Sequence, residues 1–140
     1  MTGPVVVDTN VLVSGLLTGD DSAPTARIVE SMLQGEIHLL LSMDLLAEYR
    51  TVLLRPAIRR RHGLSEGDVD ELLAEIAEIA AFRETEPVSD AERRKDRHLH
   101  RLLSSVKGAI LVTGDDALRA SVPDGVNVLS PREFLTRRRQ

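Results

Sequence analysis

The stretch Val5-Val6-Val7-Asp8-Thr9-Asn10-Val11-Leu12-Val13-Ser14 joins a short apolar run to a helical pattern through a polar turn. Three consecutive β-branched residues are typical of a strand that is buried on both faces. Val11, Leu12 and Leu16 then follow with helical spacing. The sequence therefore predicts a strand, a sharp turn that carries Asp8, and a helix.

The same alternation of elements continues along the rest of the chain. Further strands are predicted at 37–41, 82–85, 109–113 and 126–129, and helices are predicted between them and after Ser130. Strands that alternate with helices predict an α/β fold, here a three-layer α/β/α arrangement with a central, mainly parallel sheet of four or five strands. We expect the 140 residues to form one domain spanning 1–140.

The composition excludes several kinds of chemistry. The chain has no cysteine, which excludes disulfides, thiolate nucleophiles and zinc–thiolate sites. Aromatic residues make up only 2% of the chain, which argues against a platform for stacking unpaired bases. The N-terminal segment has neither the basic region of a signal peptide nor the length of a membrane span, so the cytoplasm is the expected location.

Basic residues gather in three clusters, although the formal net charge is −4. The overall negative charge argues mildly against a polyanionic partner. Each basic cluster, taken alone, is as readily explained as a group of solvent-exposed side chains. Around an acidic cleft, however, such clusters could hold a nucleic-acid backbone. The clusters consist of Arg55, Arg59, Arg60, Arg61 and His62; of Arg93, Arg94, Lys95 and Arg97; and of Arg137, Arg138 and Arg139.

Two acidic residues occupy equivalent positions after predicted strands. Asp8 follows the first strand, and Asp115 follows the strand that ends at Thr113. Because parallel strands end at the same edge of a sheet, we expect the two carboxylates to meet in the crevice there. Taken alone, either residue is as readily explained as a helix N-cap as it is as a site residue, since the exposed N–H groups at the start of a helix favour negative charge.

Two further acids are candidates for the same crevice. Glu48 lies at the rim of an apolar helical stripe, where an ordinary surface glutamate is the alternative. Asp96 shares a helical face with Leu99 and Leu103, which directs it inward, although it could instead cap that helix. Acids crowded at one sheet edge repel one another unless they are protonated or bridged by a cation. Oxygen ligands favour Mg²⁺ or Mn²⁺, the ions of metal-assisted phosphoryl chemistry.

Four segments of the chain resemble the PIN-domain nucleases, and in particular the small prokaryotic proteins similar to VapC toxins of toxin–antitoxin systems. The stretch 5–14 is similar to the family's opening strand and acidic turn, and 110–115 resembles its strand ending in Thr-Gly-Asp. The segment 39–49 looks like the one that supplies the second acid, and 130–135 also fits. The resemblance covers essentially the whole chain.

This resemblance implies a ribonuclease in which metal-activated water hydrolyses RNA. It implies that one or two Mg²⁺ ions, or Mn²⁺ in their place, are surrounded by Asp8, Glu48, Asp96 and Asp115. It also implies an antitoxin protein as partner. The apolar helices of such a small domain further favour a homodimer.

Lesser roles follow from the same resemblance. Thr113 and Asn10 would orient carboxylates by hydrogen bonds, and Asp116 would be an additional ligand. The four histidines are expected mostly at the surface, and His98 and His100 do not share a helical face, which argues against a paired zinc site.

One departure from the family pattern precedes the third acid. Related proteins commonly carry an acidic stretch there, whereas Glu92-Arg93-Arg94-Lys95 precedes Asp96. Asp90 is therefore a competing candidate, although the inward helical face favours Asp96. The basic stretch also leaves open a catalytically inactive module that binds RNA or protein. A phosphatase with Asp8 as its nucleophile is disfavoured, because Asn10 stands where many such enzymes place a general acid.

Overall fold

The computed structural model describes residues 3–86, 89–91 and 96–138. In these ranges the strands are β1 (Val5–Val7), β2 (Leu40–Leu41), β3 (Ala81–Phe82), β4 (Ile110–Val112) and β5 (Asn127–Leu129). The helices are α1 (Thr9–Leu17), α2 (Pro24–Leu33), α3 (Met43–Leu53), α4 (Pro56–His62), α5 (Glu66–Ile79), α6 (Arg97–Ser104), α7 (Asp116–Ser121) and α8 (Pro131–Arg138).

The strands pair in parallel. β4 lies between β1 and β5, with Val7 opposite Val112, and β2 pairs with β3. A parallel bridge between Val5 and Leu39 joins the two sets, and the Val5 amide donates to the His38 carbonyl at 2.8 Å. The order across the described strands is therefore β3-β2-β1-β4-β5, which confirms the predicted parallel sheet of four or five strands.

The central strands β1 and β4 are buried on both faces. Every residue of both strands is buried, and successive side chains of a strand point to opposite faces. Helices therefore cover both sides of these strands, as the predicted α/β/α layering requires. No helix in the described ranges is both long and apolar enough to cross a membrane.

Serine caps begin three of the helices. Ser42 accepts a backbone hydrogen bond at the start of α3, and Ser65 forms a capping box with Asp68 at the start of α5. Ser130 and Glu133 exchange hydrogen bonds of 2.9 and 3.1 Å at the start of α8. Each cap satisfies amide groups that the first helical turn leaves unpaired.

Helix α4 was not predicted. Pro56 follows α3, which ends at Leu53, and begins α4 as its first helical residue. Proline suits that position because its fixed φ is helical and its missing N–H would be unpaired anyway. Most of the basic cluster at 55–62 therefore lies on a helix.

The two outer strands differ from their predicted bounds. β2 is shorter than 37–41, because the Leu39 amide donates to the Ile37 carbonyl in a tight turn before the strand begins. β3 lies at Ala81–Phe82 rather than at 82–85.

Helices α1 and α2 approach each other closely at Gly15. A Cβ atom at Gly15 would lie 2.5 Å from the carbonyl oxygen of Thr25 and 2.5 Å from Cγ2 of Val29. The contact therefore depends on a residue without a side chain. It holds α1, whose first residue directly follows Asp8, against its neighbour.

Tyr49 attaches α3 to β1. Its ring is completely buried, and its hydroxyl donates to the carbonyl oxygen of Val7 at 2.6 Å. Burial, followed by the negative charges of Asp8 and Glu48, raises the pKa of this hydroxyl, so it remains a donor. Because Glu48 directly precedes Tyr49, the bond also places Glu48 near the end of β1.

Replacing Tyr49 with Phe should lower the free energy of unfolding by about 1–3 kcal/mol, since the Val7 carbonyl then loses a buried donor. Urea denaturation followed by circular dichroism measures the change. Met43→Leu is the control on the same helix, because the Met43 side chain is 70% exposed, and it should change stability by less than about 0.5 kcal/mol. Equal stabilities of Tyr49→Phe and the parent protein would contradict the expectation.

Candidate active site

Two acids lie at the carboxyl edge of the central strands. Asp8 directly follows β1, and its amide donates to the carbonyl of Val112 in β4 at 3.0 Å. Asp115 follows β4 after Thr113 and Gly114. The parallel pairing of β1 with β4 therefore brings these two parts of the chain to one edge, as the sequence predicts.

The hydroxyl of Thr113 connects both acids. It donates to Oδ2 of Asp8 at 2.7 Å and accepts the amide N–H of Asp115 at 3.0 Å. Thr113 is buried, as is Asp8, which is only 5% exposed. The bond fixes the orientation of a carboxylate that has little contact with solvent.

The environment of Asp8 disfavours its charged form. Burial is the largest cause, and the negative charges of Asp96 and Glu48 add to it, although the hydrogen bond from Thr113 opposes both. The pKa of Asp8 consequently rises from its ordinary value of 3.8 to about 6. A cation close to Asp8 would favour the ionised form.

Glu48 projects from α3 toward the same region. The hydroxyl of Thr9 donates to its Oε2 atom, and Nε2 of His98 lies 3.3 Å from its Oε1 atom. Only 18% of the Glu48 side chain is exposed. Both carboxylate oxygens therefore have a neighbour that restricts their position, and Glu48 is not an ordinary surface glutamate.

Asp96 lies at the N-cap of α6 without capping it through its side chain. Its backbone is left-handed, with φ 59° and ψ 24°, and it is the only described non-glycine residue with positive φ. Burial and then the charge of Glu48 raise the pKa of its carboxyl; His98 opposes the rise, and a smaller contribution from Asp115 adds to it. Because the side chain of Asp96 makes no capping hydrogen bond, the alternative that it caps α6 does not apply.

Glu48, Asp96 and His98 form a cluster that could hold a metal ion. One ligand atom of each residue lies within 4.8 Å of those of the other two. The sequence indicates both acids, but it predicts that the histidines lie mostly at the surface. His98 is instead completely buried. Its spacing of four residues from buried Leu102 was the signal that could have identified it.

Asp115 has two functions in the local structure. Its Oδ1 atom accepts the amides of Ala117 and Leu118 at 2.9 and 3.2 Å, so it caps α7 as the alternative interpretation expected. Its charge also acts on Asp96. Asp115 is not a member of the cluster formed by Glu48, Asp96 and His98.

The remaining candidates lie on the periphery. Asn10 and Asp116 are exposed, and Asn10 lines an open cavity of about 400 Å³ together with Asp115. Asp90, the competitor of Asp96, is exposed and is not part of the metal-type cluster among the described residues. The basic stretch at 92–95 lies outside the described residues, as does Arg139.

The donor set of the site fits a divalent cation. Three carboxylates, those of Asp8, Glu48 and Asp96, act on one another electrostatically in a region of low exposure. Carboxylate oxygens are ligands of Mg²⁺ and Mn²⁺, and a divalent charge would offset their repulsion. The fold and the site together define an α/β protein with an acidic centre of the metal-binding type.

The chain belongs to the PIN-domain family. The family model for the PIN domain matches residues 4–117, which include Asp8, Glu48, Asp96 and Asp115. PIN domains are generally metal-dependent nucleases. No curated protein matches the sequence at a significant level.

Asp8 should make the stability of the metal-free protein fall as the pH rises. Its pKa of about 6 in the folded protein exceeds its ordinary value of 3.8. The stabilisation by its protonated form is therefore complete below pH 4 and is lost as the pH rises through 6. The shift corresponds to about 3 kcal/mol.

Urea unfolding in EDTA at several pH values tests this expectation. The stability difference between the parent protein and Asp8→Asn should fall by about 2.5 kcal/mol from pH 4 to pH 7, which is most of the full effect. Thr113→Val should move the change to higher pH, because the Thr113 hydrogen bond favours the ionised carboxyl. A difference that does not vary with pH would contradict the assigned environment of Asp8.

Proposed function

We propose that the protein is an endoribonuclease that hydrolyses RNA phosphodiester bonds with Mg²⁺, or with Mn²⁺ in its place. The observation that carries the proposal is the convergence of Asp8, Glu48 and Asp96, whose repulsion a divalent ion would relieve. Membership of the PIN-domain family supports a nuclease in general terms. The choice of RNA follows from the resemblance to the VapC-like members.

The residues of the chain would hold the ion and keep its ligands oriented. A bound divalent ion polarises phosphate and lowers the pKa of water at the scissile bond. Thr113 fixes one oxygen of Asp8, and Thr9 fixes one oxygen of Glu48. These bonds limit the reorganisation that ion binding requires. Asp115 adds negative charge at the same sheet edge while it caps α7.

Helix α4 is suited to hold the RNA backbone outside the acidic centre. It packs against α1, which begins directly after Asp8, and against α3, which carries Glu48. Arg59 and Arg60 of α4 line an open cavity of about 480 Å³. The arginine side chains of α4 could neutralise phosphates that flank the cleaved bond.

Cleavage of a labelled RNA in the presence of Mg²⁺ tests the proposal. Asp8→Asn and Asp96→Asn should each lower the cleavage rate at least about 100-fold, because each removes a charge that holds the ion. Asp115→Asn should also lower the rate. Asp90→Asn is the matched control and should retain the parental rate, since Asp90 is exposed and outside the cluster. Cleavage that all four variants retain would refute the proposal.

A catalytically inactive module that binds RNA or protein is the second candidate. The basic stretch at 92–95, which replaces the acidic residues of related proteins, favours it. Calorimetric titration with Mn²⁺ separates the two candidates. No metal binding, combined with salt-sensitive binding of RNA, would support the inactive module.

We also propose that the protein is the toxin of a toxin–antitoxin pair, on the strength of its resemblance to VapC-like proteins. Its expression alone should then arrest the growth of a bacterial host. Coexpression of a small protein from the neighbouring gene should restore growth and yield a complex that copurifies. Growth arrest that no neighbouring gene relieves would argue against the antitoxin partner.

A homodimer is the proposed state in solution. The monomer mass is 15.4 kDa, so size-exclusion chromatography with light scattering should give about twice this value for a symmetric dimer. The measurement should be repeated over a tenfold dilution, since a weak dimer dissociates by mass action. A monomer mass at every concentration would refute the dimer.

A further inference from the structure

We propose that His98 is a nitrogen ligand of the metal site, and that the cluster of Glu48, Asp96 and His98 therefore binds first-row transition ions more tightly than Mg²⁺. The inference rests on the proposed function only in that a divalent ion binds there. It does not require that the protein cleave RNA.

The distances within the cluster suit a single ion. Nε2 of His98 lies 3.3 Å from Oε1 of Glu48, and a ligand atom of Asp96 completes a group within 4.8 Å. Neighbouring ligands of an octahedral ion, each about 2.1 Å from it, are about 3 Å apart. The separation of 3.3 Å is long for an N–H···O hydrogen bond. It is also close to the spacing of two ligands that share an ion.

The burial of His98 supports the same assignment. Its side chain is completely shielded from solvent, and its Nδ1 atom has no hydrogen-bond partner among the described residues. The polar contact that orients the ring is therefore the one from Nε2 toward Glu48. Nε2 is therefore the nitrogen that is placed beside Glu48 to bind an ion, and burial holds the ring in that position.

The position of His98 in the chain makes it an inward ligand. Asp96 turns the backbone with its left-handed conformation, and α6 begins at the next residue. His98 then lies in the first turn of α6, with Leu102 one turn later on the buried side. The apolar contacts of α6 thus fix the imidazole beside the two acids.

A nitrogen ligand changes which ion the site prefers. Mg²⁺ is a hard cation that binds oxygen ligands, retains several of its waters and gains little from imidazole. First-row transition ions bind nitrogen more readily, and affinity rises from Mn²⁺ to Co²⁺ along their series. The site should therefore bind Co²⁺ more tightly than Mn²⁺, and Mn²⁺ more tightly than Mg²⁺.

Pulsed electron paramagnetic resonance of the Mn²⁺-loaded protein tests the ligand directly. The parent protein should show a nitrogen coupling to Mn²⁺, and this coupling should change when the histidines are labelled with ¹⁵N. His98→Gln should lose the coupling, although glutamine can still donate a hydrogen bond to Glu48. His100→Gln is the matched control on α6 and should retain it.

Calorimetry with Mg²⁺ and Mn²⁺ provides the second readout. We expect His98→Gln to weaken Mn²⁺ binding at least about tenfold while Mg²⁺ binding changes far less. His100→Gln should leave both affinities close to those of the parent. Thermal unfolding confirms that the variants are folded, and the nitrogen coupling of the parent protein does not depend on any variant.

The outcomes separate this inference from the proposed function. A Mn²⁺-loaded parent protein without nitrogen coupling would overturn the role of His98 as a ligand, even if RNA is cleaved. Equal loss of Mg²⁺ and Mn²⁺ affinity in His98→Gln would likewise overturn it, since it would indicate that His98 only positions Glu48. Nitrogen coupling in a protein that does not cleave RNA would support the ligand and refute the ribonuclease.

Discussion

The hydrogen bond between the Thr113 hydroxyl and Asp8 is the interaction on which the site depends. It joins residues that are 105 positions apart, and it is available only because β1 and β4 pair in parallel. The same hydroxyl accepts the main-chain amide of Asp115, so one buried oxygen contacts the side chain of Asp8 and the backbone of Asp115. Glu48 reaches this edge because Tyr49, the next residue, is bound to the last carbonyl of β1. The acidic centre is thus a direct result of how two strands and one helix meet.

Much of this arrangement could be predicted from the sequence, because its signals are local. Apolar runs of valine, isoleucine and leucine mark β1 and β4, and serine residues mark the starts of α3, α5 and α8. Helix α4 could not be predicted in the same way. None of its residues is buried, so it has no apolar stripe for periodicity to reveal. Pro56 is an ambiguous local signal, because proline both follows the ends of helices and favours their first position.

The site was harder to predict where side-chain direction depends on the backbone. Helical periodicity predicts that Asp96 points inward, but the residue lies before the helix with left-handed dihedral angles, so its direction does not follow from that periodicity. His98 shares no helical face with His100, but it shares a buried face with Leu102, and only the second spacing indicates that it is buried. The sequence predicts that Asp115 is either a cap or a site residue. In the structure it caps α7, and its charge also acts on Asp96.

At the left-handed position of Asp96, the stability of the fold and the binding of an ion favour different residues. An L-residue with positive φ pays a conformational cost of about 1 kcal/mol or more, which glycine avoids. Glycine would also remove one of the negative charges that raise the pKa of Asp8. Both effects favour the folded state, yet the same change removes an acid from the centre. Selection for thermal stability alone would therefore tend to discard this carboxylate, and a more stable protein with a weaker centre would be the result.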